Sequence, residues 1–411
     1  MFGSEKGGRQ FRLLTLHCVL WSLAMSLASG FVGAFLLRHG FSLASTILLY
    51  AGLLATRFGM RALILPLVRR LGTGRAMLLG TATSAFQFLP LIHADRPAWL
   101  LGWLLIVSTG ECIYWPICHA ANAVCGGHGQ RGKQVAIRQM ASTTISVAGP
   151  VAGGFILTQI GPAVEFGVAT VLCLLSAAPL LIVGRLDLGA VPTIRRSFQA
   201  ADLPGMCAFA ADGWMCAGTG IAWQLILFSS LGATYDALGW AGSSAGIAGA
   251  LAGLGCGVAI DRGHRKRLSP LVTAGLLLAV LLRVASGWAP WAAFAANMVG
   301  AAAGGAYYPV LMSMVYDRAK RSGSAYQFHL AAEAGWYMGA MLGCCASAAI
   351  ILSGLPVTLA VMPAVIGVLL VQRCVGTEGR QPPSKYAARI SGRASKSAPE
   401  PAMVIAPLTR T

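Results

Sequence analysis

Six ionisable residues lie in apolar runs of this chain, where a charge needs a reason to be: Arg57, Arg61, Glu111, Asp212, His329 and Glu333. Such groups pair with one another, line a water-filled cavity, or carry a proton or ion. Arg57 and Arg61 are four residues apart and so share one helix face. Two guanidinium forks on one face can clamp a carboxylate or phosphate bidentately. The alternative is an internal ion pair with Glu111. Arg61 stands nearer the end of its run and can also snorkel to the interface, as can Arg283. Glu111 is the leading candidate for proton coupling, because burial and a neighbouring cation push a carboxyl group in opposite directions. Tyr114 and Trp115 follow Glu111 at i+3 and i+4 and place an aromatic wall beside it.

His329 and Glu333 repeat the spacing of four, and Trp336 and Tyr337 continue the same face. Trp214 stands two residues from Asp212. A carboxylate among aromatic rings suits an organic cation. It also suits a proton relay in which His329 is a second titrating group. Hydrogen bonding between helices is the plainer alternative.

Other chemistry finds little support. The chain has no nucleophile elbow, zinc-protease motif, Walker loop or dinucleotide fingerprint in a workable context, so an enzyme is not expected. The histidines (17, 39, 93, 119, 128, 264 and 329) are scattered without metal-ligand spacing, and neither metal nor cofactor is expected. The 11 cysteines lie in or beside apolar runs and read as buried thiols.

The elements that must hold these groups follow from hydropathy. The chain has 411 residues, 56% hydrophobic and 11% charged, with a mean hydropathy of +0.69. A soluble globular protein carries about 25% charged residues, so lipid is the expected solvent here. Twelve runs have the roughly 20 apolar residues that a spanning helix needs. They cover 13–37, 42–67, 76–93, 98–123, 134–159, 163–184, 204–231, 237–260, 269–287, 290–315, 324–353 and 355–374. The first is too long, and too closely followed by others, for a cleaved signal peptide.

The net charge of +18 lies between these runs rather than on one polar face, which argues topology and not nucleic acid. With the N-terminus and every even-numbered connection on one side, that side holds all but five of the 31 Lys and Arg residues: Arg38, Arg57, Arg61, Arg96 and Arg283. The positive-inside rule makes it the cytoplasmic side. The expected organisation is a cytoplasmic N-terminus (1–12), a six-helix bundle (13–184), a cytoplasmic linker (185–203), a second six-helix bundle (204–375) and a disordered basic cytoplasmic tail (376–411).

The two halves overlay at a nearly constant shift. At 190 residues Arg131 meets Arg321, Gly149 meets Gly339 and Gly153 meets Gly343; at 192 Arg70 meets Arg262. At 193 Trp21 meets Trp214, and Tyr114-Trp115-Pro116 meets Tyr307-Tyr308-Pro309. The overlay sets Gln139 and Thr143 opposite His329 and Glu333, so one half alone is ionisable there. Two copies of a six-helix unit share one orientation and are related by an axis along the membrane normal.

The loop Gly257-Val-Ala-Ile-Asp261-Arg262-Gly-His-Arg265-Lys266-Arg267 is similar to the G-x-x-x-D-R-x-x-R-K loop of the major facilitator superfamily. Gly149-Pro150-Val-Ala-Gly153-Gly154 resembles the Gly-Pro motif of that family's antiporter branches. Over roughly residues 10–375 the chain therefore resembles this superfamily. The first-half loop departs from the pattern, with Arg69 where the acid belongs, and the fourth run has Glu111 in place of the drug antiporters' arginine.

The resemblance implies an all-α integral membrane protein of twelve transmembrane helices, in two six-helix bundles related by pseudo-twofold symmetry. It implies a secondary active transporter of a small organic solute, working by alternating access, with proton-coupled export favoured. A facilitator or uptake permease, or a receptor or scaffold on a transporter fold, is the alternative. Its expected partners are the lipid bilayer, a small-molecule substrate and protons; it is expected as a monomer in the bacterial inner membrane. Asp261, Arg262 and Arg265 would form a gating loop, or else a static topology anchor. Gly149, Pro150, Gly153, Gly339 and Gly343 would let helices approach closely or slide.

Overall fold

A peptide group in hydrocarbon has no water to bond, so a crossing segment must satisfy its own backbone, as helices do. The computed structural model describes residues 2–124, 145, 147–184, 186, 188–199, 203–322 and 324–377, and every regular element among them is helical. Ten helices among the described residues are long and apolar enough to cross a membrane. The chain is a multi-pass helical membrane protein.

The segments are α1 (Gly8–Arg38), α2 (Leu43–Leu63), α3 (Thr73–His93), α4 (Pro97–Asn122), the shorter α5 (Val147–Gln159) and α6 (Pro162–Val183). Then come α7 (203–230), α8 (Tyr235–Asp261), α9 (Arg267–Ala285), α10 (Pro290–Tyr316), α11 (Ala325–Leu352) and α12 (Val357–Cys374). Two of the twelve expected segments are not among the ten long helices. The fifth, expected over 134–159, has its first part, with Gln139 and Thr143, outside the described residues. The seventh is divided: Leu203–Cys216 and Trp223–Ser230 flank a π-helical turn at Ala217–Ala222. The loop at Arg131 and the tail from 378 onward also lie outside the described residues.

Local sequence sets the ends and bends. Pro162 and Pro290 open α6 and α10, where a missing N–H costs nothing. Ser42 and Ser324 cap α2 and α11 by accepting from the backbone N–H groups of Ser45 and Gln327. A 3-10 turn at Ser29–Phe31 interrupts α1.

Corresponding pairs of helices pack in each half: α2 with α4 as α8 with α10, and α3 with α4 as α9 with α10. The core is organised around α11, which lies along the first limb of α7 and also against α2 and α4. Small residues permit this. A Cβ at Gly339 would strike the Ala210 carbonyl of α7, and one at Gly343 would meet Ala217 and Trp214. In the first half a Cβ at Gly149 would strike Ser26 of α1, and one at Gly153 the Leu27 carbonyl. Pro150 packs against Gly239 and Gly242 of α8. The glycine motifs thus serve close helix contact in equivalent places.

Candidate functional site

The structure gathers five of the six ionisable groups, all but Asp212, where α2 and α4 meet α11. Arg57 Nη2 lies 2.7 Å from Glu111 Oε2, and both side chains are largely buried. Trp115, one turn further along α4, donates its indole N–H to the same carboxylate oxygen at 3.2 Å. Of the two readings of Arg57, the internal ion pair is the one observed. An incoming anion would have to displace Glu111 from the fork.

Arg61 is 6% exposed and does not snorkel. Its Nη1 donates to the Leu330 carbonyl of α11, so a cation of the first half is held on the backbone of the second. Three residues along α11, Glu333 places Oε1 3.5 Å from Nε2 of His119 on α4. The His119 ring stacks on His329 at 5.4 Å between centroids and on Trp115 at 5.3 Å. His329 is fully buried, and neither ring nitrogen has a hydrogen-bond partner among the described residues.

Asp212 forms a separate centre inside the second half. Tyr307 donates to its Oδ1 at 2.8 Å and Trp336 donates to its Oδ2 at 3.0 Å. Both partners are neutral, so this carboxyl group is solvated by the protein rather than charge-paired. Trp336 is therefore a ligand of Asp212, while the Tyr337 ring lies buried with no hydrogen-bond partner for its hydroxyl among the described residues.

Other expectations are corrected. Tyr114 is buried in packing: it stacks on Trp21 at 4.7 Å, and its hydroxyl lies 3.1 Å from His17 Nε2. His17 Nδ1 must donate to the Ser176 carbonyl at 2.7 Å, so in the neutral ring Nε2 accepts from Tyr114. Trp214 turns away from Asp212 and donates to the Pro363 carbonyl at 2.7 Å. Arg283 does not snorkel either. It is 6% exposed, donates to the Thr219 carbonyl at 3.0 Å, and places its guanidinium 5.0 Å from the centre of the Trp223 ring. Asp261 and Arg262 are exposed, and no ion pair joins Asp261 to a described residue.

Two groups stand out only in three dimensions. His119 sits eight residues from Glu111, a spacing that returns to the same helix face, and that was its one signal in the sequence. Glu165, in the first turn of α6, is 1% exposed, and neither carboxyl oxygen has a hydrogen-bond partner among the described residues. A cavity of about 230 Å³ lies further along the interface. Its lining pairs Ser29, Gly30, Gly33 and Ala34 of α1 with Gly220, Ile221, Gln224 and Leu225 of α7. These are equivalent residues at a shift of 191, inside the range of the repeat.

Fold and site together define a polytopic helical membrane protein with a buried, titratable cluster between its two halves. No family model matches the chain, and comparison with curated proteins finds no match.

Proposed function

We propose that this protein is a secondary transporter of a small organic solute, with two six-helix halves that rock about a site between them. The observation that carries the reading is the contact of His119 with Glu333. It joins α4 to α11, and Arg61 joins α2 to the same stretch of α11. Contacts of this kind break when the halves separate on that side. A histidine and a carboxylate sharing one contact can take up or release a proton as it breaks. Coupling to protons follows from that chemistry.

Two further features support a transporter. Corresponding helices pack alike in the two halves, as a duplicated rocking unit requires. The Gly149-Pro150 segment resembles that of the major facilitator superfamily's antiporter branches, which supports export as the direction. The substrate need not be an anion, because Arg57 is already paired with Glu111.

The test is proton movement in reconstituted vesicles loaded with a pH-sensitive dye. Pools of anionic, cationic and neutral metabolites are added in turn to the intact protein and to Glu333→Gln. A flux tied to one pool and lost in the variant supports the reading. A flux that persists in the variant removes Glu333 from it. No flux with any pool removes proton coupling, and isotope uptake then separates a facilitator from a scaffold.

A further inference from the structure

The first-half loop that departs from the family pattern encloses a cavity. The cavity has a volume of about 780 Å³ and lies between the α2–α3 connection, the end of α6 and the chain that follows it. Arg69, Arg70 and Arg75 line it. All three are exposed, and none forms an ion pair with a described residue. In the second half the residues at a shift of 192 are Asp261, Arg262 and Arg267. Thus the repeat keeps two cations and exchanges the acid for a third. The loop has lost its own counter-ion.

Backbone geometry adds to the field of the arginines. Gly72 takes φ +75°, a conformation that glycine adopts without strain, and turns the chain into α3 with no side-chain cap. The first N–H groups of α3 therefore lack a capping side chain where Thr73 and Gly74 line the cavity. The floor is built rather than open. Thr73 Oγ1 donates to the Leu186 carbonyl at 2.7 Å, and Gly74 lies so close to the Gly184 carbonyl that a Cβ would stand 2.5 Å from it. The rim is apolar: Leu78 and Leu181 line it, and Leu181 is 70% exposed at the end of a membrane-crossing helix.

A basic cavity with an apolar rim at the end of spanning helices matches a ligand with an anionic head and hydrocarbon chains. We propose that this cavity is a binding site for the phosphate headgroup of an anionic phospholipid, drawn from the leaflet that the loop faces. The arginines hold the phosphate oxygens, the start of α3 offers its N–H groups, and Leu181 guides the acyl chains. The site does not depend on the transport reading.

The experiment is native mass spectrometry of the purified full chain with added phosphatidylglycerol, phosphatidylcholine or inorganic phosphate. The intact protein is compared with the triple variant Arg69→Gln, Arg70→Gln, Arg75→Gln, and with a second-half control, Arg262→Gln, Arg267→Gln. Each arginine near an anionic surface contributes roughly five-fold in affinity, so the triple variant should bind phosphatidylglycerol roughly a hundred-fold more weakly. The control should bind like the intact protein, and phosphatidylcholine should bind weakly to all three. Equal retention of phosphatidylglycerol by the triple variant overturns the site. So does equal loss in the control, which would show diffuse attraction to basic loops. Binding of inorganic phosphate with no gain for phosphatidylglycerol overturns the lipid as its source. Circular dichroism of each variant establishes that a loss is not a loss of fold.

Discussion

Arg57 and Glu111 meet at 2.7 Å within the first half, whereas His119 and Glu333 meet at 3.5 Å across the two halves. The two pairs share α4, so one helix carries both a fixed ion pair and a contact that separation of the halves would break. The difference assigns them different work and different responses to substitution.

Removing one partner of the fixed pair strands a buried charge. Arg57→Gln should destabilise the protein by about 3 kcal/mol, as expected when one member of a buried pair is deleted. Arg57→Gln with Glu111→Gln should recover much of that loss. Thermal denaturation in detergent measures both. Additive losses would mean that the pair is not coupled.

The contact between halves should behave in the opposite way. Glu333→Gln keeps the shape of the side chain and should leave thermal stability within about 1 kcal/mol, the scale of one ordinary hydrogen bond. It should abolish substrate-dependent proton flux in vesicles. Unchanged flux would leave the carboxylate with a structural role only.

Close packing between α11 and α7 is tested at Gly339. Gly339→Leu drives a side chain into the Ala210 carbonyl and should cost about 3 kcal/mol or prevent membrane accumulation. Gly304→Leu, where a Cβ meets no neighbour, is the control and should accumulate normally. Equal accumulation of the two would contradict the packing.

Two aromatics assigned to the cavity by sequence should prove dispensable for transport. Tyr114→Phe and Trp214→Phe each remove one hydrogen bond, a buried one to His17 and a partly buried one to the Pro363 carbonyl. Each should lower stability by about 1 kcal/mol. Neither should change which substrate pool moves protons. A change of pool in either variant would return that residue to the cavity.

Much of the fold was legible because its signals are local. Hydropathy located the long helices to within a few residues, and the spacing of four placed Arg57 with Arg61, and His329 with Glu333, on common faces. What local pattern cannot show is rotation about a helix axis relative to distant neighbours. Trp214 is two residues from Asp212 yet points to α12, while Trp336, on another helix, reaches that carboxylate. His119 stayed hidden for the same reason: its partner is 214 residues away. The π turn left no trace either, since Ala217-Gly-Thr-Gly-Ile-Ala222 has the composition of an ordinary membrane helix.

That turn has a mechanical consequence. A π turn accommodates one residue more than the α-helical path it replaces. Converting Ala217–Ala222 to α-helix would therefore feed one residue into the neighbouring limb and rotate it by about 100°. Gln224 and Leu225 would swing around the helix axis relative to Gly33, and Arg283 would lose or regain the Thr219 carbonyl it now holds. Such a conversion would advance the second half by one residue, against a cation held on a tryptophan ring.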